Sequence, residues 1–273
     1  MPTLVTGRVE LLESDIHLWI TRPQHIQDSE LLARYRKLLT EEERIKQQRY
    51  KFENDRHSAL VTRAFVRDLL SAYATTEPSD WRLKIGAKGK PEILDPPIPL
   101  RFNLSHTKDL IICAVTLKND IGCDVESVGR SSDILAIASH YFSASETKEL
   151  FSLPQRERRS RFFDYWTLKE SYIKACGLGL FAIPLEDFSF HIGQSRSTTM
   201  NDNINLSFAP HRDDNPEQWH SWLLYTSKEH RIAVSTKRAF QDEGTVKYPA
   251  PYNIRFFESI PLIHKKELIL QPG

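Results

Sequence analysis

The apolar positions change period along the chain, and the changes mark the elements. Residues 3–22 read as strands. In 15–21, Ile16, Leu18 and Ile20 alternate with other residues, and Trp19 breaks the alternation. A helix begins near Thr40, where Thr40 and Glu43 have the spacing of a capping box, each side chain satisfying a free amide of the first turn. A second helix is predicted over 55–73, with Leu60, Val66, Leu69, Leu70 and Tyr73 as its apolar positions. Residues 84–93 lead into Asp95-Pro96-Pro97-Ile98-Pro99, which is incompatible with helix interior. Segments 100–107 and 110–117 read as strands, 118–120 as a turn and 121–128 as a further short strand.

The pattern then repeats in outline. Ser143 and Glu146 form a second capping box, a charged stretch follows at 155–161, and a long helix is predicted from about Arg161 to Cys176. "GLGL" at 177–180 ends it, as glycine after a last helical turn does. Segments 186–192, 204–209, 219–226 and 231–237 read as strands and 193–203 as a polar loop. The tail, 241–273, is expected to wrap the surface or extend a sheet edge. The likeness between the halves is one of element order, not residue identity.

Composition narrows the class. The 273 residues carry 37 Lys+Arg against 36 Asp+Glu, a net charge of +1, so no global field recruits nucleic acid or a membrane surface. Hydrophobic residues at 40% and charged residues at 27% are globular values. The longest apolar run, Leu110 to Val115, is far short of the ~20 residues of a spanning helix, and Arg8, Glu10, Glu13 and Asp15 interrupt any leader-like apolar stretch. A soluble, cytoplasmic protein is expected. Cys113, Cys123 and Cys176 are few and unpaired in spacing, which argues against a disulfide framework or a common zinc motif. Of only 10 glycines, Gly89, Gly122, Gly177 and Gly179 fall in segments that also carry candidate chemistry, so a backbone requirement is expected there.

Four constellations could carry that chemistry. In "GCDVE", Asp124 and Glu126 lie two apart on a strand and share a face, their Cα atoms ~7 Å apart. Such a pair needs a cation, and hard oxygen donors suit Mg²⁺; a solvated strand face is the plainer alternative. In "DYWTLKESYIKACGLG", Trp166, Glu170 and Lys174 follow at i, i+4 spacing, which an ordinary surface ion pair would also satisfy. Lys169 falls within the aromatic arc of that helix and must snorkel or meet an anion. In "FNLSHT", Ser105 and His106 end a strand and point to opposite faces, which disfavours a hydrolytic dyad; a phosphate-binding serine and imidazole fits better, a structural histidine being the alternative. There is no G-x-S-x-G elbow, P-loop or G-x-G-x-x-G fingerprint. Finally, Arg56, Arg63 and Arg67 share a narrow helical arc that by itself reads as a solvated basic face, and Lys88 and Lys90 flank Gly89 in a turn suited to phosphate.

Taken in order, "KGKP", "FNLSHT", "IGCDVE" and "WTLKESYIKACGLG" resemble the 4′-phosphopantetheinyl transferase superfamily, of the surfactin-synthetase-activating (Sfp-like) type, over roughly residues 40–192. The resemblance implies an α/β (α+β) fold of two similar halves related by a pseudo-twofold, each a small, mainly antiparallel sheet packed with helices. The active site would lie in the cleft between them. The halves would be 1–119 and 120–240, with 241–273 an extension packing on the body. It implies transfer of the phosphopantetheine arm of coenzyme A to a serine of an apo acyl or peptidyl carrier protein, releasing adenosine 3′,5′-bisphosphate. Asp124, Glu126 and Glu170 match the family's Mg²⁺-binding acids. Ser105, His106, Lys90 and Lys88 match coenzyme A contacts, Lys174 the lysine on its phosphates, and Arg44 and Arg63 the basic residues at the nucleotide end. Glu170, or water on the metal, would take the serine proton, with Asp124 and Lys174 completing the catalytic set. Cys123 stands where a branched aliphatic residue is usual and is expected to point away from the metal.

The carrier is expected to be acidic, and Arg156, Arg158, Arg159 and Arg161 are a candidate docking run; a solvated linker is the alternative. A monomer is expected. Two other classes stay open at this level: a coenzyme A-binding module without transfer, and a Mg²⁺-dependent phosphohydrolase.

Overall fold

The computed structural model describes residues 3–86, 89–177, 183–238 and 251–269. Lys88 and Gly179 therefore lie outside the described residues. The described strands are β1 (Thr3–Leu4), β2 (Asp15–Thr21), β3 (Leu83–Ile85), β4 (Pro91–Ile93), β5 (Leu100–His106), β6 (Ile111–Leu117), β7 (Ile121–Ser127), β8 (Phe188–Ile192), β9 (Met200–Asn201), β10 (Ile204–Phe208), β11 (Trp219–Leu224), β12 (His230–Lys237), β13 (Asn253–Ile260) and β14 (His264–Leu268). The helices are α1 (Ser29–Leu38), α2 (Glu41–Gln48), α3 (Glu53–Leu70), α4 (Ile134–Tyr141), α5 (Ala144–Ser152) and α6 (Gln155–Ala175). None of them is long and apolar enough to cross a membrane.

The predicted repeat is present in the connectivity. A strand (β2) leads to three helices, a small two-stranded pair (β3–β4) and a hairpin (β5–β6), and the strands assemble in the order β2-β6-β5. After residue 120 the same path recurs: β7, three helices, the pair β8–β10, then β11 and β12 in the order β7-β12-β11. The short β9 joins the free edge of β11. Each capping-box glutamate is also reused in the same way. Glu43 caps α2 and binds Arg67 of α3 at 2.9 Å; Glu146 caps α5 and binds Lys169 of α6 at 2.8 Å. Lys169 thus meets its anion, and the Leu185 and Phe188 carbonyls accept its remaining protons at 2.7 Å each. That saturation is what makes a fully buried ammonium tolerable.

Helices and sheets stack in four layers. The helices α1 and α3 cover one face of the first sheet, burying Leu60, Phe65, Leu69 and Trp19. The helix α6 covers the second sheet, burying Phe162, Tyr165, Leu168 and Tyr172. The two sheets face each other across Ile16, Leu18, Ile20, Ile112, Cys123, Val125, Ile232 and Val234. Both faces of β2 are therefore buried. Trp19 breaks the expected alternation because it fills the helix-facing core while Ile16, Leu18 and Ile20 fill the inter-sheet core.

Segment 241–273 goes further than a surface wrap over its described part. The strand β13 pairs in parallel with β2, β14 pairs with β13, and β1 pairs with β14, giving a six-stranded sheet ordered β1-β14-β13-β2-β6-β5. Other boundaries shift too. The helix α6 begins at Gln155, so the charged stretch 155–161 is helix and not linker. Arg158 and Arg159 donate to the Leu153, Phe151, Val128 and Arg130 carbonyls, which holds those first turns in place. The predicted basic face of α3 is not solvated: Arg67 is fully buried on Glu43, which Arg63 also approaches at 3.4 Å.

Candidate active site

One close approach organises the site. A Cβ on Gly122 of β7 would stand 2.0 Å from the Ser171 carbonyl oxygen and 2.3 Å from the Ala175 amide nitrogen, both backbone atoms of α6. Only glycine lets this helix lie directly on this strand. The packing sets Glu170 and Lys174 of α6 beside Asp124 of β7. At its C-terminus the helix turns out through Gly177 in the left-handed region, at φ +67°. Lys90, in the loop that joins β3 to β4, donates to the Lys174 carbonyl at 3.0 Å and to the Ile121 carbonyl at 2.9 Å, tying that helix end to the start of β7.

The strand β5 completes the other edge of β7. Asn103 and Ser105, two apart on one face, accept from the Cys123 and Val125 amides at 2.9 and 3.3 Å. Side chains thus substitute for a missing ladder strand where the two sheets meet. The Ser105 hydroxyl also donates to Asp124 Oδ1 at 2.8 Å, and Lys174 Nζ binds the same oxygen at 2.7 Å and Ser105 Oγ at 3.0 Å. Cys123 Sγ points instead to the Asn103 carbonyl, away from the acids.

Charge in this cluster is poorly compensated. Burial and then the nearby Asp124 and Glu126 push the Glu170 carboxyl up to about 7, against Lys174 and Arg130. Burial and Asp124 also raise Glu126, and Arg130 opposes them. Burial disfavours the Lys174 ammonium, yet contact with Asp124 outweighs it and its pKa rises. His106 is exposed at the end of β5 but backed by protein, and that desolvation together with Lys174 lowers its pKa. Asp124, and then Asp55 near the start of α3, oppose that shift.

The donor chemistry suits a hard divalent cation. Asp124 Oδ2 is buried and has no hydrogen-bond partner, and Glu126 and Glu170 stand close enough to Asp124 for its charge to raise the pKa of both. Among the described residues, however, no three His, Cys, Asp or Glu side chains form a ready-made metal cage. Asp124 Oδ1 is turned to Lys174 and Ser105, and both Glu126 oxygens to Arg130. The acids are gathered, but protein cations occupy two of them.

The structure thus brings together Asp124, Glu126, Glu170, Lys174, Ser105, His106 and Lys90. Arg44 is exposed and pairs with Glu41 at 3.3 Å, and Arg63 pairs with Glu43, both outside this cluster's hydrogen bonds. The sequence reading missed Asn103 and Arg130 and underrated Trp166, which counters the rise in the Glu126 pKa. The Asn103–Ser105 spacing on one strand face was a usable signal; Arg130, on a turn, left none.

Comparison with known proteins gives a consistent result. The family model of the 4′-phosphopantetheinyl transferase superfamily matches residues 120–235, and that of the 4′-phosphopantetheinyl transferase N-terminal region matches 26–118. The chain is 34% identical to the 4′-phosphopantetheinyl transferase HetI of Nostoc sp. over 175 residues, covering 62% of this chain and 72% of that protein. It is 33% identical to the 4′-phosphopantetheinyl transferase Sfp of Bacillus subtilis over 177 residues, covering 65% and 75%. The crystal structure of Thermotoga maritima holo-[acyl-carrier-protein] synthase aligns with 56% of this chain and 84% of its own, at 18% identity and a TM-score of 0.36, a likeness too slight to argue from.

Proposed function

The chain belongs to the 4′-phosphopantetheinyl transferase superfamily, and from that premise we propose that it transfers the phosphopantetheine arm of coenzyme A to a serine of an apo carrier protein. The serine oxygen attacks the phosphorus next to the pantetheine arm, the pyrophosphate P–O bond breaks, and adenosine 3′,5′-bisphosphate leaves. The observation that carries this reading is the packing of α6 on Gly122, which sets Lys174 against Asp124 and Ser105 and brings Glu170 near enough to Asp124 to feel its charge. Such chemistry asks for charge neutralisation and in-line positioning more than covalent help.

In this reading Asp124, Glu126 and Glu170 would hold Mg²⁺, which when bound neutralises charge on the pyrophosphate and the departing bisphosphate. Glu170, whose carboxyl is pushed up to about 7 while no divalent cation is held beside it, is the residue we assign to accept the serine proton. Lys174, kept as an ammonium by Asp124, steadies the leaving phosphate. Ser105 and His106 bind the coenzyme A phosphates, and Lys90 has one N–H left for them after its two carbonyls. Arg44 and Arg63 belong to the nucleotide end, and Lys88 is a further coenzyme A contact. We read 1–119 and 120–240 as the two halves flanking the cleft, the carrier as acidic, and the enzyme as a cytoplasmic monomer.

Mass spectrometry of an apo carrier protein incubated with the enzyme, coenzyme A and Mg²⁺ tests the proposal. Transfer adds the arm to the carrier; binding alone leaves its mass unchanged; hydrolysis releases phosphate with the carrier unmodified. Asp124→Ala and Glu170→Ala are each expected to abolish nearly all transfer. Wild-type turnover in either variant at saturating Mg²⁺ would refute the role given to that residue.

A further inference from the structure

We propose that Arg130 is a built-in competitor at the metal site, a guanidinium resting on Glu126 that a divalent cation must displace and that sets how tightly the cation is held. The inference rests on reading Asp124, Glu126 and Glu170 as the ligands.

Arg130 Nη1 donates to Oε1 and Oε2 of Glu126 at 3.2 and 3.1 Å, so neither oxygen is left free of it. The two partners differ in access. The Glu126 side chain is only 16% exposed, whereas that of Arg130 is 45% exposed. The guanidinium can therefore leave for water while the carboxylate stays. Its base is fixed even so. The Arg130 amide closes a turn onto the Ser127 carbonyl at 3.1 Å, directly after β7, and Val128 is anchored to the Glu229 carbonyl at 2.8 Å. Behind the turn, Arg159 donates from Nε to the Val128 carbonyl at 2.6 Å and from Nη2 to the Arg130 carbonyl, its guanidinium resting over the Phe163 ring of α6. The pinned base and exposed head keep the positive charge within reach of Glu126 after it has let go.

Lys174 plays no equivalent part. Its ammonium is shared between Asp124 and Ser105, is 28% exposed, and leaves Asp124 Oδ2 free. Of the three acids, Glu126 alone has both oxygens on a protein cation. Exposed ion pairs are weak, so the competition should cost a divalent cation about three- to tenfold in affinity rather than exclude it.

Binding of Mn²⁺ to the full-length protein, followed by the electron paramagnetic resonance signal of free Mn²⁺ with coenzyme A present and no carrier, tests this directly. Arg130→Ala and Arg130→Gln should each bind Mn²⁺ about three- to tenfold more tightly than wild type. Arg130→Lys, which keeps the charge, should stay closer to wild type, and Glu126→Gln should bind weakly. Unchanged or weaker Mn²⁺ binding in both Arg130→Ala and Arg130→Gln overturns the competition and leaves the carboxylate site standing. Wild-type Mn²⁺ binding by Glu126→Gln and Asp124→Asn would instead remove the metal reading, and the inference with it.

Discussion

His17 has no exposed surface, and its Nδ1 lies 2.9 Å from the Tyr73 hydroxyl. Trp19 Nε1 donates to the same oxygen at 2.6 Å, so the hydroxyl joins the two side chains of β2. Burial, helped by Arg255 and opposed by Asp15, lowers the His17 pKa to about 4. The unfolded chain takes up this proton near pH 6.5, and the native state does not until about pH 4. Stability from this residue is thus complete above pH 6.5, declines as pH falls between the two values, and levels off below. The loss is of order 3 kcal/mol, from 2.5 pH units at about 1.36 kcal/mol each. Urea midpoints at pH 7.5 and pH 4.5 should drop further for wild type than for His17→Gln. Equal drops would assign the acid sensitivity to other groups.

The decisive element contact is the seat of α6 on β7. In Gly122→Ala the new carbon would meet helix backbone at 2.0 Å, which no rotamer change relieves, so the helix must shift. Glu170 and Lys174 would move with it relative to Asp124, and displacements of about 1 Å at reacting groups cost on the order of 10²-fold. We expect transfer by Gly122→Ala to fall about 10²-fold or more with its far-ultraviolet circular dichroism unchanged; a steady-state assay showing near-native kcat would remove this contact from the mechanism. Much of this level was legible in the chain: both capping boxes, the long helices, the strands β5, β6 and β7, and the one-face placement of the acids. What escaped had weak patterns. The helix α1 buries only Leu31 and Tyr35, and α4 only Ala138, too little to set a period. Lys90 and Arg159 act on backbone carbonyls, which are the same for every sequence and so leave no trace in side-chain spacing.

At the scale of the molecule, β13 is part of the core. Phe257 stacks on Trp19 with ring centroids 4.4 Å apart, and its neighbour Phe256 enters the core between the sheets. Tyr35 of α1 donates to the Pro261 carbonyl at 2.8 Å just beyond β13. Losing one buried Phe side chain costs roughly 3–5 kcal/mol, and a whole domain has about 5–15 kcal/mol to lose. A chain ending at residue 250 is therefore expected to lose its cooperative thermal transition in scanning calorimetry. A sharp transition near that of the intact protein would mean that the first sheet stands without β13. Composition and pattern placed the tail at a surface or an edge because a parallel partner 238 residues away has no local signature.

That parallel pairing also bears on the order in which a nascent chain can acquire structure. Every described strand of the second sheet lies between Ile121 and Lys237, whereas the first sheet waits for Asn253–Ile260. The segment translated earlier must leave the far side of β2 open, and the slot beside Trp19 vacant, until the later one has closed and the ribosome has passed residue 260. The later-made hairpin of β13 and β14 is then the latch that completes a sheet begun by earlier strands.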